Sequence, residues 1–354
     1  MAVGQRVDND SIMVKAATSI DVAKLAGVSQ SAVSRTYTPG ASVAEHTRDK
    51  VMDAARKLAY RPNAIARTLI TRKSRMIAVV ASYLDNQFYP VVIEKLSKRL
   101  QDDGYHVLLF IAEANVEADE LLMQLMQYHV DGIVLLSANL SSGIAKDCAD
   151  AGIPVILFNR IAQAGGTVNS VASDNEAGGR MAARALLAAG HERIGYIAGM
   201  EDSSTNRDRE AGFTSELAAH GRRVFARTVG HYSFESAQIA ARQMFQGTDA
   251  KQKPSAVFVA NDHMAIAVMD VLRGELKLRV PQDVAVIGFD NVPQSAWGGY
   301  SLSSIEQDAQ AMIEATARIM MAQIQDEAVL AQHVNLPVRL IERGSTLMPS
   351  KKAI

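Results

Sequence analysis

Thr18-Ser19-Ile20-Asp21-Val22-Ala23-Lys24-Leu25-Ala26-Gly27-Val28-Ser29-Gln30-Ser31-Ala32-Val33-Ser34-Arg35 is the stretch on which the fold of the N-terminal part turns. Thr18 and Asp21 stand three residues apart, the spacing at which a hydroxyl and a carboxylate serve the open N–H groups of a helix start. The pattern predicts a short helix through Leu25, a tight break at Ala26-Gly27-Val28, and a second helix over Gln30–Thr36 capped by Ser29. Val22, Ala23, Val28 and Val33 supply a small shared core. Two short helices around a glycine-containing turn form the helix-turn-helix pattern. A third helix from about Ala44 to Leu58 puts Val51, Ala54, Ala55 and Leu58 on one stripe, which completes a minimal three-helix unit.

In that geometry the first residues of the second helix enter the major groove of DNA. Gln30 and Ser31 can both donate and accept at base edges, and Arg35, one turn on, can pair with a guanine through its two-pronged guanidinium. The charge distribution points the same way. The whole chain carries a net charge of −1, but residues 18–75 hold eleven Lys and Arg against four Asp and Glu. Residues 76–354 hold 24 basic and 32 acidic residues. A basic module on an acidic body suits a polyanionic partner.

At 354 residues the chain is long enough for two or three domains, and 48% hydrophobic residues allow a sizeable core. No apolar run reaches the length of a membrane span, and the first seventeen residues do not read as a signal peptide. Cys148 is the only cysteine, so an internal disulfide or a multi-cysteine metal site is excluded and a reduced, cytoplasmic setting is expected. There is no Gly-Lys dipeptide for a P-loop, no Gly-x-Gly-x-x-Gly after a strand, no His-Glu-x-x-His and no Gly-x-Ser-x-Gly. An enzyme is therefore not expected, nor any catalytic residue, cofactor or metal. The rival from another class is a small-molecule-binding receptor without DNA function.

From Met76 onward apolar runs alternate with helix-length amphipathic stretches. The expected strands are Ile77–Ala81, His106–Ile111, Gly132–Leu136, Val155–Phe158, Ile194–Ala198, Ala256–Ala260 and Val284–Phe289, with helices such as Val91–Gln101, Ala118–Tyr128 and Asn175–Ala189 between them. This is an α/β pattern of parallel sheets with crossover helices, too long for one sheet, so two lobes are expected. Ligands in such sheets bind beyond the carboxyl ends of the strands. Those ends carry Asn86, Phe88 and Tyr89, then Asn159-Arg160, Arg207 and Arg209, then Asn261-Asp262 and Asp290-Asn291. Carboxylate, amide and guanidinium groups together suit a ligand with several hydroxyls. The arginines leave an anionic sugar acid or phosphate open. If Arg209 pairs with Asp290, the site is instead a neutral polyol site.

The stretch 21–35 resembles the opening of the lac repressor/galactose repressor family. Thr47-Arg48-Asp49-Lys50-Val51 and Leu58-Ala59-Tyr60-Arg61-Pro62-Asn63-Ala64-Ile65-Ala66-Arg67-Thr68-Leu69 continue the likeness, which runs from Thr18 to about Pro349. One departure is Ser19-Ile20, where many members place an apolar residue directly after the threonine. Residues 1–17 match no pattern and are expected to be a disordered tail; the resemblance implies a helix-turn-helix domain over 18–62, a hinge helix and linker over 63–75, and a two-lobed, periplasmic-binding-protein-like body over 76–354. Lobe 1 is expected at about 76–172 and 305–326, lobe 2 at about 173–304 and 327–349, with the chain crossing three times. DNA contacts are implied for Thr18, Ser29, Gln30, Ser31, Ala32, Ser34, Arg35, Asn63, Arg67 and Leu69. The resemblance places Leu69 where the family has the apolar wedge that opens the minor groove. Effector contacts are implied for Phe88, Asn159, Arg209, Asn261 and Asp290, with the ring of Tyr232 stacked on the ligand. Asn86, Tyr89 and Arg207 join them from the strand ends. The expected molecule is a homodimer on a near-palindromic double-stranded operator, a regulator of repressor type, controlled by a sugar or sugar derivative.

Overall fold

The computed structural model describes residues 17–38, 40–62, 73–82, 84–112, 118–136, 142–161, 168–247, 252–325 and 330–346. Residues 1–16 of the expected tail over 1–17 and the hinge positions Asn63, Arg67 and Leu69 lie outside the described residues. The chain divides into two units, Met1–Ser74 and Arg75–Ile354.

In the first unit, α1 (Ser19–Ala26) starts on the expected capping box: the Thr18 N–H donates to Asp21 Oδ2 (2.9 Å), and the Asp21 N–H donates to Thr18 Oγ1 (3.3 Å). It ends at Gly27, whose φ of 64° is the left-handed conformation that only glycine adopts at no cost. α2 (Gln30–Thr36) is capped by Ser29, whose hydroxyl accepts from the Ala32 N–H (3.2 Å). α3 (Glu45–Lys57) closes the core with Val51, Ala54 and Ala55 against Val22, Ala23 and Val33. Ser19-Ile20 has a visible consequence: Ile20 is 50% exposed and takes no part in that core.

The second unit holds two six-stranded sheets. The strands of the first are β1 (Met76–Ala81), β2 (His106–Ile111), β3 (Gly132–Leu136), β4 (Val155–Phe158), β5 (Asn169–Ser173) and β11 (His333–Leu336), in the order β11-β5-β4-β3-β1-β2, all parallel. One face packs on α4 (Phe88–Asp102) and α11 (Ala309–Gln325) through Val92, Leu96, Met312 and Met320. The other packs on α5 (Ala118–Met126) and α6 (Ser142–Asp150) through Leu122, Leu125, Ile144 and the buried Cys148.

The second sheet contains β6 (Ile194–Ala198), β7 (Ala226–Val229), β8 (Ala256–Val259), β9 (Ala285–Asp290), β10 (Ser303–Gln307) and β12 (Val338–Ile341), in the order β12-β10-β9-β8-β6-β7. Only β12 runs antiparallel, against β10. Its helices are α7 (Asn175–Ala188), α8 (Ser204–Ala219), α9 (Phe234–Phe245) and α10 (Asp262–Asp270).

The chain passes between the sheets three times: after β5, after β10 and after β11. Two of the expected lobe limits shift as a result. β10, paired with β9, belongs wholly to the second sheet, so the expected limit at 304/305 moves beyond it. β11, paired with β5, belongs to the first sheet and not, with the rest of 327–349, to the second lobe. Both strands are poor in apolar residues, so hydrophobicity did not mark them. β10 instead satisfies buried hydroxyls: Ser304 Oγ donates to Asp262 Oδ1 (2.7 Å), and Ser303 Oγ donates to the Arg343 carbonyl (3.1 Å).

Candidate DNA-reading helix and effector cleft

In the first unit the caps turn the polar residues of α2 outward. Ser29, Gln30, Ser31, Ser34 and Arg35 are exposed, as is Thr18, and Ala32 is half-buried. Val33 and Thr36, on the opposite side, are buried. Within this unit Gln30 Nε2 donates to Ser19 Oγ (3.0 Å), Arg35 Nε donates to the Ser31 carbonyl (3.3 Å), and Ser29 and Ser31 share a hydroxyl bond (2.9 Å). All three bonds are exposed, so a competing base edge or phosphate can take the donors.

In the second unit the carboxyl ends of both sheets face one cleft. Asn86, Tyr89, Asn159 and Arg160 come from lobe 1, and Thr205, Arg209, Tyr232, Asn261 and Asp290 from lobe 2. Seven of the nine expected effector residues meet here.

The centre is an ion pair. Arg209 Nη2 lies 3.6 Å from Asp290 Oδ1, each side chain being 2% exposed. The sequence builds the seat of this arginine with small residues. A Cβ on Gly179 would fall 2.1 Å from the Arg209 carbonyl oxygen, and one on Gly212 would fall 2.0 Å from that of Glu176, so α7 and α8 touch backbone to backbone. A Cβ on Gly178 would strike the Phe289 ring at 2.4 Å, and the Arg209 guanidinium lies 3.6 Å from the centre of that ring. Arg209 Nε donates to Asn175 Oδ1 (2.8 Å) and Nη1 to the Ala260 carbonyl (2.6 Å). Asp290 Oδ1 accepts from Gln307 Nε2 (2.7 Å) and Oδ2 from Asn86 Nδ2 (3.2 Å). Burial raises the Asp290 carboxyl above its ordinary value, and Arg209, Asn86 and Gln307 oppose that rise.

Three cleft-lining residues adopt positive φ without being glycine: Asn159 at 58°, Tyr232 at 57° and Asp290 at 113°. Such backbone is uncommon and costs energy that the surrounding packing must hold. Tyr232 lies over Gly199, where a Cβ would fall 2.2 Å from its ring. Its hydroxyl bonds Thr205 Oγ1 (3.1 Å).

Several bonds cross from lobe to lobe. Besides Asn86–Asp290, Arg160 Nη1 donates to Thr205 Oγ1 (3.0 Å), and the Ile161 N–H donates to Ser204 Oγ (3.2 Å). The space left between the lining residues is about 20 Å³, enough for a water molecule. Asn159 Nδ2 donates to Tyr89 Oη (3.3 Å), while its Oδ1 is buried without a hydrogen-bond partner.

Two expected residues are absent from the pocket. Phe88 turns into the core of lobe 1, its ring 6.4 Å from that of Phe158. It neighbours Tyr89 in sequence, but about 100° of helical rotation separates the two side chains. The Arg207 side chain is 63% exposed and bonds Asp208 (3.3 Å). It lies two positions from Arg209, so the two point to different faces of α8. Thr205 was missed, although it stands one helical turn before Arg209 on the same face. Asn175 and Gln307, which hold the ion pair from behind, were also missed.

Asp262 is fully buried beside this pair and accepts from the Val292 N–H (3.0 Å), Ser295 Oγ (2.6 Å) and Ser304 Oγ (2.7 Å). Burial and the neighbouring Asp290 push its carboxyl up to about 7. Among the described residues no group of His, Cys, Asp and Glu is arranged to hold a metal ion, and no helix is long and apolar enough to cross a membrane.

Comparison with known proteins agrees with this division. Residues 20–63 match the model of bacterial regulatory proteins of the lacI family, and residues 170–346 match a periplasmic binding protein-like domain. The chain is 31% identical to the HTH-type transcriptional regulator CelR of Thermobifida fusca, covering 92% of this chain and 96% of that protein. It is 30% identical to the HTH-type transcriptional repressor PurR of Erwinia tasmaniensis, covering 93% and 96%. Among solved structures, the lac repressor dimer bound to operator and the anti-inducer ONPF superposes with a TM-score of 0.83 at 29% identity, covering 94% of this chain and all of that one. A complex of CelR with cellobiose superposes with a TM-score of 0.69 at 29% identity, covering 93% and 99%. With a capped helix-turn-helix unit, a two-lobed body and full-length relatives that are regulators, not enzymes, the chain belongs to the lacI family of bacterial regulatory proteins.

Proposed function

We propose that this protein represses transcription by binding a near-palindromic DNA operator as a homodimer, under the control of a sugar-class ligand held in its cleft. The observation that carries the reading is that one chain holds both an exposed polar face on α2 and a cleft whose two lobes are joined by hydrogen bonds at the ligand position. Gln30, Ser31 and Arg35 read base edges. Thr18, Ser29, Ala32 and Ser34 approach the backbone, Asn63 and Arg67 reach it from the hinge, and Leu69 opens the central step. The setting is the cytoplasm, where the DNA is.

A ligand that enters the cleft must replace the bonds Asn86–Asp290 and Arg160–Thr205, so it binds the two lobe arrangements unequally, which is the condition for moving the equilibrium between them. The solved lac repressor and CelR complexes hold ligands named as ONPF and cellobiose, which supports the sugar class. The Arg209–Asp290 pair is internally neutral, which suits a polyhydroxylated ligand whose hydroxyls bond it.

Selection from a pool of random duplexes, with and without added sugars, tests this reading. A near-palindromic site should be enriched, with retention that falls steeply with salt as phosphate contacts release counterions, and at least one sugar should change it. A protein that binds sugar but retains no duplex at low salt is a receptor, and the reading falls.

A further inference from the structure

Asn86 and Tyr232, which line the inner pocket, also line a second chamber of about 440 Å³, to which lobe 1 adds Asp85 and Gln87, and lobe 2 adds Phe234, Glu235 and His263. Sites for small molecules occupy about 300–1,000 Å³, so this chamber has the size of a binding site and the inner pocket, as the lobes stand, has not. A ligand anchored on Arg209 and Asp290 that extends past the shared walls Asn86 and Tyr232 enters this chamber.

The chemistry changes along the way. The inner end has two arginines and one carboxylate, Arg160, Arg209 and Asp290. The outer chamber has two exposed carboxylates, Asp85 and Glu235, and no arginine or lysine among its lining residues. Burial lowers the His263 imidazole below its ordinary value against the pull of Asp85 and Glu235, so it does not offset their charge at neutral pH. The half-buried Phe234 ring packs at 5.6 Å and 60° against His263. An aromatic wall beside carboxylate and amide acceptors suits the apolar face and the hydroxyls of a sugar ring. Two fixed carboxylates repel a third negative charge.

We propose that this chamber is a second subsite, which takes the outer unit of a ligand at least two rings long and admits a neutral or amine-bearing sugar there but not an anionic one. The proposal rests on the sugar-sensing reading above and adds length and charge selection to it.

Calorimetric titration of the full-length protein tests it with glucose, galactose, maltose, cellobiose, lactose, deacetylated chitobiose and cellobiouronic acid. One two-ring neutral or amine-bearing probe should bind at least tenfold tighter than its single-ring components. Phe234→Ala should erase that gap and leave single-ring binding unchanged. The exposed double change Asp85→Asn with Glu235→Gln should improve binding of cellobiouronic acid at least tenfold relative to the wild type. Equal affinity for one and two rings overturns the subsite, as does tight binding of cellobiouronic acid by the wild type. If a single-ring sugar binds and alters DNA retention, sugar sensing stands and the subsite falls. Silence across all seven probes overturns both.

Discussion

The DNA-reading face of α2 and the effector cleft are both polar, but they are stabilised in opposite ways. On α2 the groups proposed to meet DNA are exposed, and the bonds around them link residues close in sequence, Arg35 to Ser31 and Gln30 to Ser19. Nothing in the small core of Val22, Val33 and Val51 depends on them. In the cleft the functional groups are buried and tied over long separations, Asn86 to Asp290 across the lobes and Arg209 to Asn175 across two helices. Function and folding are separable in the first region and fused in the second. Substitutions of similar size should therefore have very different costs.

The sharpest contrast is expected at Arg209. Replacement by Met keeps the bulk but leaves Asp290 buried without its ion-pair partner, which typically costs about 3–5 kcal/mol. Urea unfolding of the body should show that loss together with loss of ligand binding. Adding Asp290→Asn should restore most of the stability and none of the binding, and the pair would be non-additive in a double-mutant cycle. A single change that costs under 1 kcal/mol would break the comparison.

A second large effect depends on pH. Asp262 in the folded protein titrates at about 7, far above the ordinary carboxylate value of 3.8. Between those values the folded state holds a proton that the unfolded chain has released. Stability is thus fully favoured below the window and declines as pH rises through it, by at most about 1.4 kcal/mol per unit. Asp262→Asn should flatten the fall in melting temperature between pH 5 and 7.5. Wild type and variant with the same slope would show that this buried acid is not the cause.

A smaller effect tests the seat of the arginine. Gly179→Ala puts a methyl group 2.1 Å from a backbone oxygen of α8, so the two helices must separate. Overpacking of this kind costs about 1–3 kcal/mol, and because α8 carries Arg209, ligand affinity should fall with stability. An unchanged affinity would mean that α8 moves without moving the site.

The same contrast governs how much was legible beforehand. The helix-turn-helix was readable almost residue by residue, because caps, the Gly27 turn and the stripe of Val51, Ala54, Ala55 and Leu58 are local signals. The central strands of both sheets were readable from their apolar runs. β5, β7, β10, β11 and β12 were not: in β5 and β10, Asn169, Ser303 and Ser304 are buried by virtue of hydrogen bonds that only the folded chain reveals, and β7, β11 and β12 are four-residue strands at sheet edges. At the cleft the strand-end rule located the pocket but not the facing side of each helix. Phe88 and Arg207 were expected there and point elsewhere, while Thr205, on the face of Arg209, was overlooked. The supports Asn175 and Gln307 left no sequence signal, since their roles exist only through Arg209 and Asp290.

The smallest expected change in stability is the most telling about the first region. Arg35 is exposed and gives only a 3.3 Å bond to the carbonyl of its own helix, so Arg35→Ala should alter the unfolding free energy by no more than about 0.5 kcal/mol. Its effect on recognition should be much larger. Loss of a guanidinium paired with a guanine relaxes preference at one base position by about 1–3 kcal/mol, while phosphate contacts elsewhere are kept. Site selection with the variant should return the same near-palindrome with one degenerate position in each half-site. A uniformly weakened but unchanged preference would reassign Arg35 to the phosphates, and a preference unchanged in both strength and sequence would remove it from the interface. Either result, combined with a large stability loss, would also overturn the separation of function from folding that the exposed face of α2 implies.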